Sequence, residues 1–226
     1  MAHIIKTNEL NKIFTLPNGD SLHVLKNINM VVDQGKLTIL RGRSGSGKTT
    51  LMNILAALDF ASSGEVLFDN VKITQMSERK RCLLRREKIG FIFQSVALIP
   101  TMNAYENVEY MLRLAGIRKN RKGLVIEALR MVGLGARIYH MPQELSGGEQ
   151  QRVAIARAIV HKPKIVFADE PTAELDTNTA IQIMKIFKNL TDKEGVTIVM
   201  ATHDVGIMEI GDRVYELEDG GFIERE

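Results

Sequence analysis

Gly42-Arg43-Ser44-Gly45-Ser46-Gly47-Lys48-Thr49 has the spacing G-x-x-x-x-G-K-(S/T), a string whose chemistry suits polyphosphate. Glycines let the backbone curl so that successive N–H groups point inward at phosphate oxygens. The N-terminus of a following helix adds partial positive charge at the same place. Lys48 carries a full charge to the β- and γ-phosphates, and the Thr49 hydroxyl can ligate Mg²⁺. A glycine-rich turn could match this pattern by chance. The context argues otherwise, because an apolar strand pattern precedes it and a helical pattern follows.

Asp169 and Glu170 close the apolar run Ile165–Ala168. Ligands of open α/β sheets bind beyond the carboxyl ends of the strands, which places both carboxylates beside the glycine-rich loop. Asp169 can hold Mg²⁺ directly or through water, and Glu170 can orient and polarise an attacking water as general base. His203 follows the run Val196–Met200 and should emerge on the same edge, where it could donate to a γ-phosphate. Of the five histidines it alone is so placed. His3, His23, His140 and His161 show no metal-ligand spacing and are expected to be structural or exposed.

A second anion site is suggested at Leu145-Ser146-Gly147-Gly148-Glu149. Ser146 with Glu149 three residues later is a capping box. Two glycines at that helix start leave backbone N–H groups uncovered, as anion binding requires. An ordinary helix cap would show the same residues, and the run that follows is what favours a functional reading.

The elements needed to position these groups can be read from periodicity. Leu37–Leu40, Ile165–Ala168 and Val196–Met200 are short, continuous apolar runs of the kind found in parallel sheets covered on both faces. Leu51, Ile54, Leu55 and Leu58 recur at helical spacing after the loop. Ile183, Ile186, Phe187 and Leu190 predict a helix between the second and third strands, and this crossover must be right-handed. From about Asn103 to Val160 the spacing is helical throughout. Val125, Ala128, Leu129 and Val132 form a stripe closed by Gly133, and Val153–Val160 should be a buried helix interrupted only by Arg157. The expected fold is therefore α/β, with a parallel-sheet core and helices inserted between its strands.

Composition sets the outer limits. The 226 residues suffice for one sizeable α/β domain, and 45% hydrophobic with 25% charged residues excludes wholesale disorder. Thirty Lys and Arg against twenty-seven Asp and Glu give +3, too slight to imply a nucleic-acid partner. The single cysteine, Cys82, cannot form an internal disulfide and is assigned to packing. No apolar stretch approaches the roughly 18 residues of a membrane span, and Met1–Asn11 lacks the apolar core of a signal peptide.

The segment Leu145-Ser146-Gly147-Gly148-Glu149-Gln150-Gln151-Arg152-Val153-Ala154-Ile155-Ala156-Arg157-Ala158 resembles the signature of ABC-transporter ATP-binding subunits. The family's other motifs appear in its order, so the resemblance spans essentially the whole chain. Arg85-Arg86, Ile89-Gly90-Phe91 and Glu106-Asn107-Val108 are similar to the branch serving macrolide export, lipoprotein release, cell division and antimicrobial-peptide resistance.

The resemblance implies a P-loop NTPase core with an antiparallel β subdomain over 1–93 and 161–226. It also implies an inserted helical subdomain over 94–160. Phe14 would stack on adenine, the loop through Thr50 would bind the triphosphate, and Gln94 would reach Mg²⁺ and the attacking water. Asp176 matches the D-loop and His203 the switch histidine. Ser146, Gly147, Gly148 and Glu149 would complete the site of a second copy in an ATP-dependent homodimer. The implied activity is ATP hydrolysis powering a transmembrane permease from the cytoplasmic face of the membrane, with an export or extraction substrate. Transmission of conformational change without transport is the alternative.

Two departures stand out: Phe14 replaces a commoner tyrosine, and Phe60–Gly64 lacks a usual proline, leaving that turn's backbone open. In the family a groove near Gln94 receives a helix of the membrane partner, and Val96, Ala97, Leu98, Ile99 and Met102 could either line it or pack the core. Arg79-Lys80-Arg81 with Arg85-Arg86 could approach anionic lipid, though a solvated helix face is the favoured reading. A soluble P-loop kinase is disfavoured, since it has no use for a signature helix supplied in trans. A DNA-repair ABC ATPase would need coiled-coil insertions for which this chain has no room.

Overall fold

The computed structural model describes residues 2–204 and 210–223; Met1 of the N-terminal reading lies outside the described residues. A four-stranded antiparallel sheet is built from β1 (His3–Thr15), β2 (Ser21–Asp33), β4 (Ser63–Phe68) and β5 (Val71–Lys72), ordered β2-β1-β4-β5. The second sheet has six strands. These are β3 (Leu37–Arg41), β6 (Ile89–Ile92), β7 (Ile165–Asp169), β8 (Thr197–Thr202), β9 (Arg213–Glu218) and β10 (Gly221–Phe222), ordered β10-β9-β3-β8-β7-β6. Its pairs β9/β3, β3/β8, β8/β7 and β7/β6 are parallel, and only β10 runs antiparallel.

The apolar runs are continuous because both faces of the parallel sheet are covered. Along β7, Ile165 and Phe167 join one core while Val166 and Ala168 join the other. Along β8, Val199 and Ala201 take the first side and Ile198 and Met200 the second. This period-2 division is what the pleat dictates. The first core is closed by the antiparallel sheet and by α1 (Lys48–Leu55). The second is closed by α3 (Ala104–Leu114), α4 (Arg121–Met131), α5 (Gly147–Ile159) and α6 (Thr177–Glu194). Phe167 and Phe187 are fully buried on opposite sides, and truncating either to alanine would cost about 3–5 kcal/mol.

The helical stripes are mostly where periodicity puts them. Val125, Ala128, Leu129 and Val132 are all buried, and so are Ile183, Phe187 and Leu190. Between Asn103 and Val160 the regular elements are helical. Leu58 departs from expectation: α1 stops at Leu55, Ala57 turns into the left-handed region at φ 57°, and Leu58 is exposed.

The basic run on α2 (Glu78–Lys88) also divides differently from expectation. Arg81 points inward and is 2% exposed, whereas Cys82, assigned to packing, faces out. Arg81 donates to the carbonyls of Ala57 and Asp59, and Arg85 donates to Ala57. A guanidinium satisfies several acceptors at once, so these arginines tie α2 to the turn after α1. The turn lacking proline is held by Ser62, whose N–H donates to the Asn11 carbonyl and whose hydroxyl exchanges hydrogen bonds with the Ile13 backbone.

Candidate functional site

The glycine-rich loop links the end of β3 to α1, and Gly47 caps that helix with φ 105°. A Cβ on Gly42 would lie 2.3 Å from the Leu217 carbonyl oxygen and 2.5 Å from Ser46 Oγ, so only glycine lets β9 and the loop approach this closely. The loop turns its donors inward. Lys48 is 5% exposed and donates to the carbonyls of Gly42 and Arg43 at 2.8 and 3.0 Å. Ser46 Oγ is buried and has no hydrogen-bond partner among the described residues. A buried orphan hydroxyl beside a buried ammonium at a helix N-terminus is a donor set suited to an anion.

The parallel sheet delivers the acids to the same place. Thr49 Oγ1 donates to Asp169 Oδ1 at 3.3 Å. Burial is the largest influence on Asp169 and, with the Glu170 charge, holds its carboxyl above the ordinary aspartate range against Thr49 and Lys48. Glu170 lies past the strand end with φ 44°, its N–H donating to the Ala201 carbonyl of β8. A left-handed glutamate is strained, and such strain concentrates at functional sites. Its carboxylate is 3.7 Å from Lys48 Nζ through one oxygen and 2.9 Å from His203 Nδ1 through the other. Lys48, Thr49, Asp169, Glu170 and His203 thus form one linked constellation.

Gln94 follows β6 on the same sheet edge, since Ile92 pairs with Ala168. It is exposed and makes no side-chain hydrogen bond among the described residues. The loop after it is pinned at both ends. Arg157 of α5 donates to the carbonyls of Ala97 and Val96, at 2.8 and 3.3 Å, and burial lowers its pKa. Asn107 of α3, fully buried, donates to the carbonyls of Ile99, Met102 and Asn103 and accepts from the Ile99 N–H. Ala97 is left-handed at φ 46°. Val96, Leu98, Ile99 and Met102 are half-buried and Ala97 is exposed. The clamping roles of Arg157 and Asn107 are not legible in the sequence beyond one signal, an asparagine inside a helix.

Phe14 is 39% exposed near the end of β1, paired with Leu22 of β2. A Cβ on Gly47 would lie 3.0 Å from Leu25 and 3.1 Å from the Val24 carbonyl, so β2 runs alongside the phosphate loop within a few residues of Phe14. The ring carries the Lys12 ammonium 4.6 Å from its centroid.

The second anion candidate lies elsewhere. Ser146 caps α5, its hydroxyl accepting from the Glu149 N–H while the Glu149 carboxylate accepts from the Ser146 N–H. The Ser146 N–H is the main influence holding the Glu149 carboxyl low, with Arg137 3.4 Å away. A Cβ on Gly148 would lie 2.3 Å from Thr179 Cγ2, whereas one on Gly147 would meet nothing closer than 3.9 Å. Asp176 caps α6, accepting from the N–H groups of Asn178 and Thr179 and from the Thr179 hydroxyl. Among the described residues no hydrogen bond or ion pair joins 146–149 to 42–50.

A strand–glycine loop–helix with an inward lysine, a hydroxyl paired to a buried aspartate, and a glutamate beyond the strand end define a P-loop nucleotide-binding protein. The family model described as ABC transporter matches residues 25–173, and the chain belongs to that family. It is 42% identical over 207 residues to the lipoprotein-releasing system ATP-binding protein LolD of Legionella pneumophila, covering 91% of each chain. It is 41% identical over 220 residues to the macrolide export ATP-binding/permease protein MacB of Syntrophobacter fumaroxidans, covering 96% of this chain and 31% of that one. Among solved structures it superimposes, with a TM-score of 0.88 and 38% identity, on the dimeric post-hydrolysis state of the ATP-binding cassette MJ0796 bound to ADP and Pi; 98% of this chain and 97% of that one are covered. The chain is an ABC-type ATPase. No helix among the described residues is long and apolar enough to cross a membrane.

Proposed function

We propose that this chain powers a membrane permease by hydrolysing ATP, serving export or extraction of a hydrophobic or amphipathic substrate such as an antibiotic, a peptide or a lipoprotein. The relatives named for macrolide export and lipoprotein release support that substrate class. The observation that carries the reading is the linked constellation Lys48–Glu170–His203 with Thr49–Asp169 on one sheet edge, which no hydrogen bond or ion pair among the described residues joins to the Ser146 turn.

The N–H groups of residues 42–50, including those of Arg43, Ser44, Gly45 and Thr50, cradle the triphosphate. Lys48 exchanges its two carbonyl acceptors for charged phosphate oxygens, and such charge-assisted bonds are roughly twice as strong. Thr49 Oγ1 and Asp169 Oδ1, with the Gln94 amide on the same edge, are the hard oxygen ligands that Mg²⁺ takes. A Mg²⁺ held by these residues would supply positive charge against the triphosphate. Glu170 takes a proton from the attacking water as the water oxygen bonds to the γ-phosphorus; the bond to the bridging oxygen breaks, giving ADP and phosphate. His203 holds Glu170 in place through Nδ1 and, with both ring nitrogens protonated, would donate to the γ-phosphate through Nε2. Phe14 stacks on the adenine.

The Ser146 turn acts in trans. In a head-to-tail homodimer the hydroxyl of Ser146 and the N–H groups of Gly147 and Gly148, with Glu149 fixing the cap, meet the γ-phosphate held by the other copy. Asp176 lies at the start of the helix packed on that turn and communicates between copies. Loss of the γ-phosphate loosens the dimer, a switch by ligand-held contacts. The helical segment 94–160 forms the subdomain that moves with the permease, docked near the loop after Gln94, and the chain sits peripherally on the cytoplasmic face of the membrane.

Glu170→Gln tests this. Light scattering with ATP should show a persistent dimer, with hydrolysis slowed about 100-fold or more. Undiminished hydrolysis removes Glu170 from the role of base.

A further inference from the structure

Lys12 and Phe14 sit two residues apart on β1, across an irregularity in its pairing with β2, and the Lys12 ammonium stands beside the Phe14 ring. Lys12 is 9% exposed, and its ammonium has three partners. It pairs with Asp59 Oδ2 at 2.8 Å, donates to the Phe60 carbonyl at 2.8 Å, and stands 4.6 Å from the Phe14 ring centroid. A buried ammonium is costly unless satisfied, and here its carboxylate, carbonyl and π-face partners come from one strand and one turn.

That turn is rigid. Phe60 N–H donates to Asp59 Oδ1, Arg81 donates to the Asp59 carbonyl, and the Arg81 guanidinium lies 3.6 Å from the centre of the Phe60 ring. The turn also follows directly from α1, whose first residue is Lys48. Eight helical residues span about 12 Å. The phosphate-gripping lysine and the clamp on the Phe14 ring therefore hang from opposite ends of one short helix.

We propose that Lys12 is a nucleotide-positioning residue: by joining Phe14 to Asp59 and Phe60, it fixes one face of the ring at a set distance from the phosphate loop, leaving the rest of the ring for the base. This rests on the reading of Phe14 as the base-stacking surface. An ion pair that merely stabilised the fold would influence every ligand of the loop alike, whereas a ring clamp influences only ligands that carry a base.

The test is calorimetric titration with ATP and with inorganic tripolyphosphate, both with Mg²⁺, on the wild-type chain and on Lys12→Met, Asp59→Asn and Phe14→Ala. Lys12→Met should weaken ATP about five- to tenfold and leave tripolyphosphate unchanged. Asp59→Asn should act in the same direction by less, and it carries the test if Lys12→Met does not fold. Phe14→Ala should weaken ATP at least as much as Lys12→Met. Normal ATP affinity in the Lys12 and Asp59 variants, with Phe14→Ala impaired, overturns the clamp and leaves the stacking reading intact. Equal weakening of both ligands in Lys12→Met also overturns the clamp. Normal ATP affinity in Phe14→Ala overturns the stacking reading itself.

Discussion

The two glycine-rich turns of this chain look alike in sequence and differ in how their groups are partnered. At the phosphate loop most groups find another group of the same site: Lys48 reaches Glu170, Glu170 reaches His203, and Thr49 reaches Asp169, with the buried Ser46 hydroxyl left for a ligand. At the signature turn, the side chains of Ser146 and Glu149 bond each other's backbone N–H, with Arg137 beyond, and Gly147 is exposed, with Leu175 3.9 Å from where a Cβ would sit. The difference teaches that a helix N-terminus becomes half of a catalytic site only when something opposite it brings the charge. One turn has its partners at home. The other has a finished cap and an uncovered face, which is the form expected of a surface completed by another molecule.

Removing the lysine should have the largest effect. Lys48→Ala deletes the full charge among the phosphate oxygens and leaves Glu170 facing the site without its cation, so ATP affinity should fall by about 100-fold or more. Unchanged affinity would mean that the loop is not where phosphate binds.

Substitutions at the two signature glycines sharpen the contrast, because their surroundings differ. Gly147→Asp has room for its side chain, and an acid in the first helical turn favours the helix. The melting temperature should hold or rise while hydrolysis collapses, since a carboxylate then occupies the place meant for a phosphate. Gly148→Ala would instead drive a methyl group into Thr179 and should destabilise the fold by about 1–3 kcal/mol. If Gly147→Asp hydrolyses ATP normally, the open face is not an anion site.

Asp169 gives the smallest effect on stability and the one tied to pH. Burial, foremost among its influences, raises this carboxyl above its unfolded value. The charged form therefore penalises the folded state once pH exceeds the folded value, and the penalty vanishes below the unfolded one. Asp169→Asn should melt above wild type at pH 7 in the absence of nucleotide, and the gap should close as pH falls below the ordinary aspartate range. The same variant should lose the Mg²⁺-dependent part of ATP binding. A gap that widens on acidification would contradict the burial account.

Much of the core was legible because it obeys local rules. Continuous runs such as Ile165–Ala168 mean two covered faces, and β7 divides its side chains between two cores as the pleat requires. The loop and the Ser146 cap were legible because glycine spacing and capping chemistry act within a few residues. Leu58 was misplaced because helix ends are set by the turn that follows, here a left-handed Ala57 held by Arg81 and Arg85 from α2. The same arginines explain why a run that reads as solvated basic charge turns Arg81 inward and Cys82 outward. The roles of Lys12 and Arg157 are not legible in the sequence because their acceptors lie 48 and 60 residues away, whereas Asn107 bonds carbonyls four to eight residues before it and is the one of the three with a local signal.

Mixing two inactive variants tests the division of labour between copies most directly. In a Lys48→Ala/Gly147→Asp heterodimer, one composite site carries both defects and the other carries neither. An equal mixture of the two proteins should recover roughly a quarter of the wild-type ATPase rate, since half of the randomly paired dimers hold one intact site of two. If the mixture stays as inactive as each variant alone, with heterodimers confirmed by co-purification of two differently tagged variants, the signature turn does not complete the site of a partner copy.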